Sequence, residues 1–330
     1  QTCALPILFF MNYNNLEVED HSLLHAVARM SFNAASGTLE AQFTNSHHAL
    51  KNLVDSTALY VAKPMSEPID FIDKFDEHSL QFYNGIGGFN QKGSAYVIHL
   101  NPDQVTPLPW SNVVANPNFG FLVTELGGGY TWFGNSRENK LTPWSNDAVV
   151  DPQGEIIYIS EVSDSMLDLW SLTPHPIREP VPYTVEHGFG YTKFSHESHV
   201  LSQELIQFVP LDASVKINLI SLKNNSQQPR KLTLTHYIKP VMGVNASQNA
   251  MHLQSTQVES GALVFTNPYN HEFVDQMLYM ISSSENSSVC ANRKAFFGLN
   301  DESMPYALMN PEGLNNHTGS CLDPCGAVQI

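Results

Sequence analysis

The chain is poor in cysteine, with four residues in 330, at positions 3, 290, 321 and 325. A disulfide framework for so long a chain needs more, and the stretch from Cys321 to Cys325, which contains Asp323-Pro324, lacks the second ligand pair of a zinc module. Reduced thiols in a cytoplasmic protein are therefore expected. No run of about 18 apolar residues occurs, so no segment is expected to span a bilayer. Basic residues are scarce: 16 Lys and Arg stand against 32 Asp and Glu, a formal net charge of −16. With no basic cluster, nucleic acid and anionic membrane surfaces are poor partners, whereas a neutral sugar is unaffected by the charge. No repeat of fixed period and no low-complexity segment are present. A phosphate loop is also missing: Asn84-Gly85-Ile86-Gly87-Gly88-Phe89 is followed by neither a helical pattern nor Lys-Ser/Thr, and reads as a tight turn or bulge.

What is present is a chain of 42% hydrophobic residues, too apolar for disorder and long enough for one large all-β domain or two ordinary ones. Its first eight residues, QTCALPIL, lack a starting Met, join poorly to the residues after them, and read as a sequence-end artefact rather than a targeting signal. Gly326-Ala327-Val328-Gln329-Ile330 is expected to begin a strand whose continuation is missing, leaving an unpaired edge. A fragment cut at both ends is the expectation.

Residues 16 to 62 carry two weakly amphipathic helical patterns, the first with Leu23, Leu24, Val27, Ala28 and Met30 near one face, broken at Ser36-Gly37. His47-His48 reads as a solvated pair, because adjacent helical residues diverge by about a hundred degrees. Lys63 to Pro68 reads as a linker, so 1–75 is taken as a partial upstream domain with a helical linker, and 76–330 as the main domain. From Leu80 the period changes to two. Strands are expected at 95–100, 121–124, 155–160, 184–187, 191–196, 200–208, 215–222, 231–238, 262–265 and 276–281, with the polar LKNNSQQPR as a hairpin connection. Short strands spaced by Gly, Pro and Asn, with no βαβ alternation, indicate a mainly β, large antiparallel sandwich.

The chemically distinctive stretch runs from Leu126 to Asp151: three glycines, then Tyr130, Trp132, Phe133 and Trp144 interleaved with Asn135, Ser136, Arg137, Glu138 and Asn139. Flat aromatic faces beside fixed polar groups suit a sugar ring, which offers C–H faces for stacking and a rim of hydroxyls. Each of the four tryptophans (110, 132, 144 and 170) has an equal alternative as a core residue. His187, His196 and His199, near Glu186 and Glu197, have the composition of a metal site, but their spacing does not require them to converge.

The blocks NGIGGF, WSNVVANPNFGF, YTWFGNSRENKLTPWSND, HGFGY, FVPLDASVKI and LDPCGAVQ occur in that order. Together they resemble the N-terminal sandwich domain of the cellobiose phosphorylase-like glycoside phosphorylases, formerly glycosyltransferase family 36. The likeness is closest to the C-terminal region of cyclic β-1,2-glucan synthases and to 1,2-β-oligoglucan phosphorylases. The resemblance implies a galactose mutarotase-like β-supersandwich followed by an (α/α)6 catalytic barrel, which this chain does not reach. It also implies inverting phosphorolysis of β-glucans, with a β-1,2 linkage expected. In that reaction a carboxylic acid protonates the glycosidic oxygen while inorganic phosphate, the co-substrate, attacks the anomeric carbon from the opposite face. The acid belongs to the barrel, so no catalytic residue is assigned here, and Glu125, Asp147 and Asp151 are expected as surface or turn carboxylates. No cofactor is implied.

The expected partners are a β-glucan oligosaccharide, the barrel of the same polypeptide and a second copy; the parent could be inner-membrane-associated through upstream domains. Carried onto this chain, the sugar contacts expected are Trp132 and Trp144 as stacking faces, Arg137 and Asn139 as polar contacts, Asn146 and Asp147 as hydroxyl partners, and Trp170 and Thr173 from the following block. The bland alternatives are turn formation for Asn146 and Asp147 and an ion pair with Glu138 or a nearby carboxylate for Arg137. A self-contained carbohydrate-binding module without chemistry is the alternative function; a glucoamylase-like hydrolase is a third, opposed by the NSRENKLTPWSND block.

Overall fold

The computed structural model describes residues 32, 34–42, 75–163, 166–284, 287–309 and 313–330. The chain divides into two units, Gln1–Leu59 and Tyr60–Ile330. Of the first, the described part is a 3-10 turn at Ala34–Ser36 and one helical turn at 39–42, where Thr38 Oγ1 accepts from the Ala41 N–H (3.2 Å). Most of the two helical patterns, His47-His48, the linker at 63–68 and Cys3 lie outside the described residues.

The second unit is built of antiparallel strands. In chain order they are β1 (Gly87–Phe89), β2 (Ala95–Leu100), β3 (Ser111–Ala115), β4 (Phe119–Thr124), β5 (Gly129–Phe133), β6 (Glu155–Ser163), β7 (Met166–Ser171), β8 (Tyr183–Gly188) and β9 (Tyr191–Ser198). There follow β10 (Leu201–Phe208), β11 (Ile217–Asn224), β12 (Leu232–Ile238), β13 (Gln254–Gln257), β14 (Leu263–Thr266), β15 (Met277–Met280), β16 (Ser288–Asn292), β17 (Gly319–Ser320) and β18 (Pro324–Gln329). They form sheets of order β1-β2-β8-β9-β10-β11, β16-β18-β12-β6-β7, β15-β14-β13-β17 and β3-β4-β5.

The five-stranded sheet is buried on both faces, which explains the unbroken apolar run in β6. Ile157 and Ile159 pack with Ile98, Phe121, Tyr183, Val185 and Phe194 of the six- and three-stranded sheets. The alternate residues Ile156 and Tyr158 pack on the other side with Tyr237, Cys290, Phe296 and Phe297, the last two from the short helix α1 (Arg293–Phe297). Alternation along a strand thus sends successive side chains into two different cores.

Two sequence expectations change here. The LKNNSQQPR segment is not a hairpin, because β11 lies at an edge of the six-stranded sheet and β12 is interior to the five-stranded one. It crosses between the sheets, held by Asn225, whose N–H donates to Val200 O (3.0 Å), and by Arg230, which pairs with Glu161. A polar connection between alternating strands has the same composition in either case. Nor is the C-terminal strand an unpaired edge: β18 lies between β16 and β12 with all six residues buried.

Gly129 opens β5 with φ +145°, and a Cβ there would stand 2.0 Å from the Leu122 carbonyl oxygen. Relief would require moving the β4 backbone. Gly129→Ala is therefore expected to destabilise by more than about 2 kcal/mol in urea unfolding, beyond the usual range for an alanine in place of glycine. An unchanged unfolding midpoint would refute the close approach.

Candidate functional site

The three-stranded sheet presents its outer face through the rows Val113–Leu122–Tyr130 and Ala115–Gly120–Trp132. Period two places Tyr130 and Trp132 on this face and turns Thr131 inward. The Tyr130 ring lies 5.2 Å from Trp132, tilted by 38°, and 5.2 Å from Trp144, tilted by 36°. Three rings therefore form a row with Tyr130 in the middle, and Trp144 is 36% exposed. Tyr130 was not among the expected contacts, although its i, i+2 spacing from Trp132 could have revealed it.

Beneath the row is a buried ionic network. Thr131 donates its hydroxyl to Glu155 Oε1 (2.5 Å) and its N–H to Thr142 Oγ1 (2.8 Å), while Thr142 donates to the same Glu155 oxygen (2.7 Å). Lys216 Nζ donates to Glu155 Oε2 (2.7 Å) and stands 4.4 Å from the centre of the Phe121 ring. Burial pushes the Glu155 carboxyl up, but Lys216 and the two hydroxyls outweigh it and bring its pKa to about 2. His236 is held neutral by burial, at about 4. A cavity of about 20 Å³ bordered by Gly127, Gly128, Gly129, Glu155, Gln207, Lys216 and His236 is water-sized. That volume is too small for a sugar ring.

The loop from Gly134 to Asp151 borders the row and is built from short-range hydrogen bonds. Asn135 Oδ1 accepts from the N–H groups of Arg137 (2.9 Å) and Glu138 (3.0 Å). Arg137, with its side chain 84% exposed, pairs with Glu138 at 3.3 Å, an exposed contact that constrains the guanidinium weakly. Asn146 is exposed. Asp147 Oδ1 accepts from the N–H groups of Val149 and Val150, each at 3.0 Å, and these bonds lower its pKa.

The remaining expected contacts are engaged by the protein itself. Asn139 is buried, donating to Phe133 O (3.1 Å) and Gln276 Oε1 (2.9 Å). Trp170 is fully buried, with its indole N–H donating to Gln203 Oε1 (2.7 Å) and its ring stacked on His199 at 3.9 Å. Thr173 is buried and donates to His175 O (2.8 Å). None of the three offers a face to a ligand: Trp170 lies in β7 of the five-stranded sheet, Thr173 follows that strand, and Asn139 ties its loop to the segment before β15.

Asp147 is a turn carboxylate as expected, but Glu125 and Asp151 are buried rather than superficial. Glu125 accepts from the Thr106 hydroxyl and the Trp110 N–H (2.7 Å), and Asp151 from the Thr124 hydroxyl (2.5 Å). Burial raises both pKa values. Their oxygens serve the turns that carry the aromatic row, since Asp151 also closes the Trp144 loop through its N–H to Asp147 O (3.0 Å).

The three histidines do not converge. His187 bonds Trp110 O (3.0 Å), His196 is buried against Tyr183 (4.4 Å), and His199 lies between Asp168 (2.9 Å) and Glu179 (2.5 Å). No group of three or more His, Cys, Asp or Glu side chains among the described residues is placed to hold a metal ion. Cys290, Cys321 and Cys325 are free thiols. Among the described residues no helix is long and apolar enough to cross a membrane.

Comparison with known proteins places the chain in a family. The chain is 30% identical, over 97% of its length, to 12% of the cyclic beta-(1,2)-glucan synthase NdvB of Rhizobium meliloti (strain 1021). It is 27% identical, over 73% of its length, to 31% of an N,N'-diacetylchitobiose phosphorylase of Vibrio furnissii. It is also 23% identical, over 47% of its length, to 20% of a solabiose phosphorylase of Paenibacillus borealis. The chain therefore spans less than a third of each of these relatives. Residues 94–330, from β2 through β18, match the supersandwich domain of glycosyl hydrolase 94, and the chain belongs to that family.

Proposed function

We propose that the chain is the sugar-binding sandwich of an enzyme that cleaves or builds β-glucans, with β-1,2-linked glucan as the substrate and inorganic phosphate as co-substrate of the whole enzyme. The observation that carries this reading is the row Trp132–Tyr130–Trp144 on an outer sheet face, with Arg137, Asn146 and Asp147 on the adjoining loop. Successive rings are tilted by 38° and 36°, so a glucan whose rings turn relative to one another follows the row better than a flat ribbon. The similarity to a cyclic beta-(1,2)-glucan synthase supports the same linkage. The buried carboxylates beside the row, Glu125, Asp151 and Glu155, are engaged in internal hydrogen bonds, which supports a binding role for this face.

The test is titration of the chain with β-1,2-gluco-oligosaccharides, followed by tryptophan fluorescence. Each of Trp132→Ala and Trp144→Ala is expected to weaken binding about fivefold, the loss of roughly 1 kcal/mol of stacking. Equal affinity in both variants would remove the row from the sugar site. No glucose 1-phosphate is expected when the chain is incubated with β-1,2-glucan and phosphate; its appearance would overturn the absence of an acid. Sugar binding without any contribution to turnover in the whole enzyme would favour a binding module instead.

A further inference from the structure

We propose that Gly120 is a positioning residue for the aromatic row: its missing side chain is the seat of the Trp132 indole. The inference rests on the reading of that row as the sugar site. Gly120 lies directly opposite Trp132 in the β4–β5 register and opposite Ala115 in the β3–β4 register. A Cβ at 120 would stand 2.5 Å from Trp132 Cζ2, 2.9 Å from Cε2 and 2.6 Å from the Ala115 methyl. Carbon atoms in normal contact are about 3.5–4.0 Å apart, so the six-membered part of the indole already occupies the space a side chain at 120 needs.

Glycine is a poor strand residue, weakening a strand by entropy and by leaving nothing to pack. In many strands it is kept for a left-handed backbone, but Gly120 is not among the residues with positive φ. Close approach of other groups is the remaining reason, and those groups are the Trp132 ring on one side and the Ala115 methyl on the other. The neighbours Phe119 and Phe121 point into the core, so 120 is the position where β4 could obstruct the ring. Lying across β4, the indole has one side against the sheet, has the Tyr130 ring 5.2 Å away at a tilt of 38°, and is part-buried. A sugar then meets a ring whose orientation is already set, which limits the entropy lost on binding.

The test compares the full chain with Gly120→Ala, reading two quantities: oligosaccharide affinity, and the circular-dichroism band produced by coupling among the three neighbouring rings. Gly120→Ala is expected to lift the indole, abolish the Trp132–Tyr130 part of that band and weaken β-1,2-gluco-oligosaccharide binding about as much as Trp132→Ala. In the Trp132→Ala background, Gly120→Ala should weaken binding no further. If Gly120→Ala does not fold, Gly120→Ala/Ala115→Gly removes the methyl contact and leaves the ring contact to be read. An unchanged ring-coupling band and unchanged affinity would overturn the proposal. If the unmodified chain binds no sugar, the sugar reading fails, and the band alone judges the seat: lost, it stands; retained, it is wrong.

Discussion

His199→Leu is expected to lower the stability of the domain by about 3–5 kcal/mol, the usual consequence of removing one member of a buried ionic cluster. His199 sits at the turn between β9 and β10 in a left-handed conformation (φ +53°). Its ring lies between Asp168 of β7 and Glu179 of the segment before β8, and its carbonyl accepts from Arg230, which is itself paired with Glu161 of β6. One residue thus joins the six-stranded sheet to the five-stranded sheet. Without it two carboxylates remain half-buried with no cation between them, and the face of Trp170 loses its stacking partner.

The pH dependence identifies the cause. Burial pushes the His199 pKa down, but its bonds to Asp168 and Glu179 and their charges prevail and bring it to about 9. An unfolded histidine titrates near 6.5. The folded value is the higher, so the stabilisation is fully present below pH 6.5 and is lost as pH rises from 6.5 to 9, on the order of 3 kcal/mol in all. The nearby His196 is held neutral, near 3, by burial and by the charge of His199. Urea unfolding at several pH values checks this: the unmodified protein should weaken across the window and His199→Leu should be flat there. The same slope in both would falsify the clamp.

Loss of Glu155 produces the second large effect. Glu155→Gln leaves the Lys216 cation buried without its counter-charge and is expected to destabilise by about 3 kcal/mol or more. Replacing both partners, Glu155→Leu with Lys216→Met, should be milder than Glu155→Gln alone, because the penalty lies in the orphaned charge. The sign with pH is opposite to that of His199. The folded pKa of about 2 lies below the unfolded value of 4.5, so the contribution is present above pH 4.5 and is lost as pH falls toward 2. The neutral histidines His187 and His236, each near 4, and His196, near 3, weaken the fold earlier, from 6.5 down toward 3. Acid unfolding should therefore begin below pH 6.5, and Glu155→Gln should remove only its lowest part. Because Thr131 and Thr142 share the Glu155 oxygen, Glu155→Gln should also loosen β5 and reduce sugar affinity, which a remote destabilisation would not do.

The pattern of apolar residues by itself determined the all-β class and most of the strands, because period two and turn residues are local signals. The match at 95–100 is residue for residue, while 155–160 ends three residues short of β6 and 231–238 begins one residue before β12. Ordered motif blocks determined the family. The sequence did not show β5 as a strand, since its glycines and aromatics read equally well as a loop. Sheet membership was likewise out of reach. Val215, Ile217 and Leu219 alternate with Lys216 and Asn218, yet the interior face carries Lys216, Ile220 and Leu222, while Leu219 is exposed. A lysine at an inward position is legible only when its glutamate, 61 residues earlier in the chain, is seen against it.

The same limit divides the tryptophans. All four have the composition of a stacking residue, but Trp132 and Trp144 meet Tyr130 on an outer face, whereas Trp170 lies on a sheet covered on both sides. Local periodicity says which residues share a face of a strand. Which faces are covered depends on how distant strands stack, and that was decided only by the tertiary structure.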